Sequence, residues 1–196
     1  MIIQSTAKVF ITLNAFLLLL KIFIGAVFYF GLSPDIATYS TLAVVEITLL
    51  ILVNTGLLLV LIKLGESPIS ITVLLAYVLF QCYLVARTIL QINGWIEFTS
   101  PGTSIQWFSY ILLVCLGIGL CTISNPAIRA YYRYSGILTM AAFAISRLLP
   151  VLYDEFGLKP FVLMPLVLSA LPLMASLALF VSLSRPSREY QYIETI

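Results

Sequence analysis

The sequence contains no histidine, and only 9% of its residues are charged. Soluble globular domains carry about 25% charged residues, so this composition lies outside their range. The lack of histidine removes the commonest side-chain ligand of haem, copper, iron and catalytic zinc. It also removes the base of a Ser-His-Asp triad. We therefore expect no metal or redox cofactor, and no nucleotide-binding loop or nucleophile elbow is present either.

Clusters of basic residues are also missing. The formal net charge is +2, and no run of five or more basic residues occurs. Surfaces that bind nucleic acid need such clusters to neutralise phosphates, so a nucleic-acid partner is excluded. The three cysteines, Cys82, Cys115 and Cys121, lie in apolar stretches and form no CxxC motif. A thiol in such a stretch packs as a small hydrophobe more often than it reacts.

Long apolar runs dominate instead, with 62% hydrophobic residues and a mean hydropathy of +1.12. A transmembrane helix needs about 20 predominantly apolar residues. The sequence therefore predicts an all-α bundle of six transmembrane helices in one domain, residues 1–184, followed by a short polar tail, residues 185–196. The predicted spans are residues 9–31, 36–62, 69–92, 105–124, 130–153 and 161–183. We expect an integral, multi-pass membrane protein that contacts the lipid bilayer.

The fifth predicted span is the least apolar of the six. Arg133 and Arg147 leave only a short apolar stretch between them. If the span crosses the membrane, Arg147 lies near one end of it and can extend towards the headgroups. In the fourth span, Gly117 and Cys121 form a pair of small residues at helical spacing, which lets a neighbouring backbone approach closely.

The basic residues near the span ends are distributed unevenly. In a six-span chain Lys159 lies on one side of the membrane, and the other side carries Lys8, Lys63, Arg129, Arg133, Arg185 and Arg188. Cytoplasmic loops carry the excess of Lys and Arg. The distribution thus predicts that both termini are cytoplasmic.

The first predicted hairpin carries one charge near the middle of each helix. Lys21 precedes the Ser33-Pro34 turn and Glu46 follows it, and each lies about 15 Å from that turn along a helix. An unpaired charge at mid-membrane costs about 2.5–3.5 kcal/mol on insertion scales, so the matched depths predict an ion pair. The pair is either a structural clamp between two helices or a coupling or substrate site at which Glu46 exchanges a proton. Asn14 and Asn54 lie one layer further from the turn and predict interhelical amide hydrogen bonds.

A second group of polar and aromatic residues is predicted at the non-cytoplasmic ends of the helices. It consists of Arg87, Trp95, Glu97, Trp107, Arg147, Asp154 and Glu155. Guanidinium groups bind phosphate and carboxylate well, so these residues are consistent with a site for a lipid headgroup or another anion. The alternative is an interfacial belt in which the arginines snorkel to the headgroups.

Three functions agree with these features. The first is a small integral membrane protein, either transporter-like or a membrane subunit of a larger complex, that receives a small solute, a lipid or another subunit. The second is a membrane-embedded enzyme that acts on a lipid or isoprenoid by acid catalysis, with Glu46 or Asp154 as the candidate catalytic carboxyl group. The third is a purely structural membrane subunit. The residues favour a protein that is not an enzyme, without excluding one.

Overall fold

A computed structural model describes residues 2–30, 35–97, 103–156 and 164–184. These ranges form helices, joined by short turns, and contain no β-strand. The helices are α1 (Ile2–Tyr29), α2 (Ile36–Lys63), α3 (Pro68–Ile92), α4 (Thr103–Cys121), α5 (Pro126–Phe156) and α6 (Met164–Ser184). The predicted all-helical fold with six helices is therefore confirmed.

Five of these helices are long and apolar enough to cross a membrane: α1, α2, α3, α4 and α6. The exception is α5, which has 31 residues and is long enough but less apolar. It contains Arg133 and Arg147, which made the fifth span the least apolar in the sequence, and also Arg129 near its start. The chain thus has the helices of a multi-pass membrane protein.

Capping residues explain where several helices begin. The Asp35 carboxylate accepts a hydrogen bond from the backbone N–H of Thr38 at 3.2 Å, and the bonds from Thr38 lower the pKa of Asp35. Ser67 caps α3, with Pro68 in the first helical position, where its missing N–H is not needed. The Asn125 side chain accepts from the N–H of Ala127 and so caps α5.

The helices form a closed ring in sequence order. Each helix packs chiefly against its neighbours in the chain, and α6 closes the ring against α1. One end of the ring, here named the connector end, contains Asp35, Trp95 and Glu97. The opposite end, here named the termini end, contains the short turns at Lys63–Ser67 and Thr122–Asn125. These positions follow from the antiparallel course of consecutive helices.

The hydrophobic core is concentrated at the termini end. Its fully buried members there include Leu61, Ile123, Ile128 and Tyr132. The Tyr132 hydroxyl crosses from α5 to donate a 2.7 Å hydrogen bond to the Leu57 carbonyl of α2. The bundle is therefore solidly packed at this end.

A buried carboxylate joins two turns at the termini end. Glu66, which lies in the turn between α2 and α3, is just 6% exposed. Its carboxylate accepts hydrogen bonds from the N–H of Asn125 at 2.7 Å and from the N–H and hydroxyl of Ser124 at 3.3 Å each. It also lies at the N-terminus of α5, where a negative charge is favourable. Glu66 thus fastens the α2–α3 turn to the α4–α5 turn.

Two glycines bring α4 and α5 into backbone contact. A Cβ atom built on Gly136 would lie 2.5 Å from the Gly117 carbonyl oxygen and 3.0 Å from the Cys121 sulfur. The small residues Gly117 and Cys121, which the sequence indicated as a close-approach pair, therefore both face Gly136. The backbones of α4 and α5 can approach this closely only because Gly136 has no side chain.

We expect Gly136→Ala to lower the free energy of unfolding by about 1–3 kcal/mol. The new methyl group would meet a backbone oxygen of α4, which can move only if the two helices separate. The midpoint of thermal unfolding of the purified protein in detergent measures the effect. Gly119→Ala is the matched control, because its new Cβ atom would lie no closer than 3.5 Å to the Val73 side chain, an ordinary contact distance. An unchanged midpoint for Gly136→Ala would contradict the contact.

Some predictions fall outside the described part of the chain. These are the turn at residues 31–34, Lys159 in the orientation argument and the polar tail 185–196. Asp154 and Glu155 lie within α5, but their side chains are outside the described part of the structure.

Candidate functional site

Lys21 of α1 and Glu46 of α2 form an ion pair. The contact that their matched depths predicted is therefore confirmed. The pair is not uniformly buried, because the Lys21 side chain is 9% exposed and the Glu46 side chain is 27% exposed. The two residues are 25 positions apart on neighbouring antiparallel helices, so the pair sets the axial alignment of α1 against α2.

Amide hydrogen bonds connect other pairs of helices. Asn14 of α1 donates to the Ser176 hydroxyl of α6 at 2.8 Å, and Asn54 of α2 donates to the Gln81 side-chain oxygen of α3 at 3.1 Å. Both asparagines are buried and face interhelical contacts, as the sequence predicted. Their partners lie on α6 and α3, so each bond closes a different part of the ring.

A cavity of about 380 Å³ lies at the centre of the ring, and all six helices contribute to its wall. Its polar wall residues include Lys21, Asn54 and Tyr77 from the first three helices and Ser109, Tyr110 and Ser176 from α4 and α6. Most of the remaining wall is leucine and valine. The size falls within the range of about 300–1,000 Å³ typical of small-molecule sites.

One face of α5 supplies the largest set of polar groups in this wall. Ser135, Thr139, Ser146 and Arg147 all line the cavity, at spacings of four, seven and one residues. Because an α-helix has 3.6 residues per turn, Ser135, Thr139 and Ser146 share a face, and Arg147 lies at the edge of that face, about 100° from Ser146. Arg147 was predicted from the sequence, whereas the three hydroxyl residues were not. Their helical spacing within the least apolar span was the signal that could have identified them.

The hydroxyl groups in the wall already donate hydrogen bonds within their own helices. Thr139 donates to the Ser135 carbonyl, Ser146 to the Phe143 carbonyl and Ser176 to the Leu173 carbonyl, at 2.7–2.8 Å. Their oxygen lone pairs remain available as acceptors. Pro172 of α6 also lines the cavity and has no N–H to offer the preceding turn. The wall is thus polar in places, without a network that fills the cavity.

The charges of the wall are positive. Lys21 and Arg147 line the cavity, whereas no aspartate or glutamate does so among the residues whose side chains the structure describes. Glu46 contacts Lys21 from outside the wall. Catalysis by the Glu46 carboxyl group stays a prediction. The position of the Asp154 carboxyl group is outside the described side chains.

Arg147 is held by aromatic rings where α4 and α5 meet. Its guanidinium carbon lies 3.7 Å from the centre of the Tyr110 ring and 5.2 Å from that of Phe143. The Tyr110 ring also contacts Phe143 at 5.5 Å and Trp107 at 6.0 Å between ring centres. A cation over an aromatic face is stabilised by the ring quadrupole.

The predicted group at the helix ends is only partly assembled. Arg147 and Trp107 line one groove between α4 and α5. Trp95 is 77% exposed in the turn after α3, and Arg87 is half-buried on α3; neither lines this groove or the central cavity. Of the predicted group, Arg147 and Trp107 therefore lie together, whereas Trp95 and Arg87 lie elsewhere.

A smaller cavity of about 40 Å³ lies between α1, α2 and α6. Its wall is almost entirely apolar and includes Phe10, Gly56 and Phe180. It offers space for very few water-sized molecules, so it is a packing defect rather than a ligand site.

No known protein family matches this chain, and neither a curated protein nor a solved structure resembles it significantly. The functional argument therefore rests on the cavity and its residues.

Proposed function

We propose that this chain is a six-span membrane protein, with both termini cytoplasmic, whose central cavity binds a single-chain amphipathic anion as a binding or transporter-like protein. The observation that carries the proposal is a largely apolar wall that contains two cationic residues: Lys21, whose charge is compensated by Glu46, and Arg147, which has no ion-pair partner among the described side chains. The carboxylate or phosphate headgroup of the ligand would interact with these cations, chiefly Arg147, and its hydrocarbon part with the leucines.

The charge of the wall favours an anion over a cation. Only Lys21 has an ion-pair partner among the described side chains that surround the cavity. A second cation would be repelled by Arg147, which is exposed, whereas an anion would compensate its charge. The hydroxyls of Thr139, Ser146 and Ser176 would donate to a headgroup in exchange for their intrahelical hydrogen bonds.

The shape of the bundle favours access from one end. The termini end is filled by the core and closed by the bond from Tyr132 to Leu57. The cavity wall instead reaches Ser109, Arg147 and Ser169, which lie towards the connector end. A cavity that is closed at one end suits a binding protein, or one state of a transporter that alternates between two openings.

The six-span topology is supported by the length and charge of α5. At about 1.5 Å per residue its 31 residues extend about 46 Å, which exceeds the hydrocarbon thickness of about 30 Å. Arg129 and Arg133 lie near the termini end with Lys63. Under the positive-inside rule that end faces the cytoplasm.

A thermal-unfolding experiment tests the cavity. We expect myristate at alkaline pH, where its carboxyl group is ionised, to stabilise the purified protein in a neutral detergent. A ligand at a hundredfold excess over its dissociation constant contributes about 2.7 kcal/mol. Methyl myristate, which lacks the charge, should stabilise the protein much less.

Two variants of α5 localise the effect. Thr139→Phe fills the cavity and should abolish the stabilisation by myristate. Ile137→Phe adds the same ring at an outward-facing position that is 52% exposed. This variant should retain the stabilisation by myristate. Equal stabilisation by the acid and the ester, or an undiminished response of Thr139→Phe, would refute binding of an anion in the cavity.

A further inference from the structure

A groove of about 700 Å³ lies between α4 and α5, outside the ring. Its wall includes Thr103, Gln106, Trp107, Ile111 and Val114 of α4, together with Arg147 of α5. Trp107 is 63% exposed, Ile111 61% and Val114 38%. In a membrane-spanning bundle this outward face is where hydrocarbon chains of lipids lie.

The groove and the central cavity are neighbours separated by three side chains. Tyr110, Phe143 and Arg147 line both. On α4, Tyr110 lies between the positions that face the groove and those that face the cavity. On α5, Phe143 and Arg147 are four residues apart and so occupy one face. These side chains form the partition between the lipid-facing groove and the interior.

The partition contains a charge that an anion can reach. The Arg147 guanidinium is stacked over Tyr110 and Phe143 and forms no ion pair with the side chains that the structure describes. Stacking occupies the face of the guanidinium group, whereas its N–H donors point outwards in the plane and suit a carboxylate or phosphate. Arg147 can therefore bind an anion while it remains stacked.

The depth of Arg147 suits a headgroup at the membrane interface. Tyr110 lies seven residues from the start of α4 and Arg147 nine from the end of α5, which is about 10–14 Å of helix. A long guanidinium side chain at this depth can meet an anionic headgroup while the attached chain stays in the hydrocarbon region.

We propose that the groove between α4 and α5 is a lateral portal, in which a single-chain anionic amphiphile from the bilayer binds with its headgroup on Arg147 and its chain along Trp107, Ile111 and Val114 before it reaches the central cavity. The proposal rests on the proposed function. Charge complementarity at Arg147 and continuity with the cavity select this occupant over an uncharged lipid or a protein helix. It also gives Arg147 a role as a binding residue in addition to its stacking.

The chain provides a probe for this test, because Trp107 and Trp95 are its only tryptophans. In a Trp95→Phe background, Trp107 alone reports on the groove. Bromine atoms quench tryptophan on contact, so the probes are dibromostearic acid at alkaline pH and its methyl ester, added to the protein in neutral nanodiscs. We expect the acid to quench Trp107 at about tenfold lower concentration than the ester, which corresponds to about 1.4 kcal/mol.

Variants of the groove separate headgroup binding from partition into the bilayer. Arg147→Gln should remove the preference for the acid, and Arg147→Lys should keep part of it, because it retains the charge without the planar fork. The Trp107→Phe protein, in which only Trp95 emits, should show no such preference. If Arg147→Gln does not fold, Val114→Phe obstructs the groove without altering the charge and should weaken quenching by the acid.

Equal quenching of Trp107 by acid and ester would overturn the portal, and so would a preference that survives both Arg147→Gln and Val114→Phe. The myristate stabilisation and its loss in Thr139→Phe test the cavity separately. If myristate stabilises the protein but the acid quenches Trp107 no better than the ester, ligand binding in the cavity is supported and the portal is refuted. If the preference is present but the stabilisation is absent, the groove binds the amphiphile and the cavity function is wrong; the portal into it then falls as well.

Discussion

Glu46→Leu is expected to lower the free energy of unfolding by about 3–5 kcal/mol, the range found when one partner of a buried ion pair is removed. Lys21 would keep its position in the wall of the cavity, where its side chain is only 9% exposed. Its ammonium group would then remain in the wall without its carboxylate partner. The unfolding midpoint in detergent, together with the yield of protein in the membrane, measures the loss.

The double variant Lys21→Leu/Glu46→Leu separates the cost of an unpaired charge from the worth of the pair. Replacing a buried pair by apolar residues is often neutral or stabilising, so we expect stability near that of the wild type. The exchanged variant Lys21→Glu/Glu46→Lys should also recover much of the loss. If Glu46→Leu alone is as stable as the wild type, the pair is not a clamp.

The same double variant addresses the functional interpretation of the pair. It keeps the fold but removes the ammonium group from the cavity wall, so binding of myristate should weaken. A double variant that is stable and binds myristate as tightly as the wild type would leave Arg147 as the sole cationic determinant. The clamp and the binding role of Lys21 are thus tested with one protein.

The second large effect is expected at the termini end, where Glu66→Ala should cost about 2–4 kcal/mol. The substitution leaves the N–H groups of Ser124 and Asn125 without the acceptor that they share. Hydrogen bonds to charged groups contribute about 1.5–3 kcal/mol each to stability. The attraction between the carboxylate and the N-terminus of α5 is lost as well. Denaturant unfolding in a fixed detergent measures the change.

Glu97→Ala is the matched control, because Glu97 is also an acid beside a helix end but is exposed at the connector end. It should change stability by less than about 0.5 kcal/mol. Glu66→Gln should fall between these cases, since its single carbonyl oxygen can satisfy only part of the donor set. A Glu66→Ala protein as stable as Glu97→Ala would show that the bond between the two turns is unimportant.

Much of the fold could be read from the chain because its determinants are local. Apolar runs and the breakers between them define six helices, and symmetric depth about one turn was enough to pair Lys21 with Glu46. The role of Glu66 could not be read in this way. The N–H groups that donate to its carboxylate belong to Ser124 and Asn125, 58 and 59 residues further on. Only the ring arrangement brings the two turns together.

The site was predictable only in part, for a similar physical reason. A cavity is space that side chains from all six helices fail to fill, and no single segment encodes it. The helical spacing of Ser135, Thr139 and Ser146 could have indicated a polar face on α5. It could not have indicated that this face lines the same cavity as Lys21. Nor could it have indicated that Arg147 contacts the Tyr110 ring and not Arg87 or Trp95.

The ring arrangement has a consequence for biosynthesis. The pair of Lys21 and Glu46 can form as soon as α2 has followed α1 into the bilayer, early in translation. The partner of Asn14 is Ser176 of α6, and α1 meets α6 only when the last helix has been made. Until then Asn14 and the inner face of α1 lack their final neighbours in the nascent chain. The central cavity is therefore complete only in the last step of assembly, and a chain truncated before α6 would lack one side of its wall.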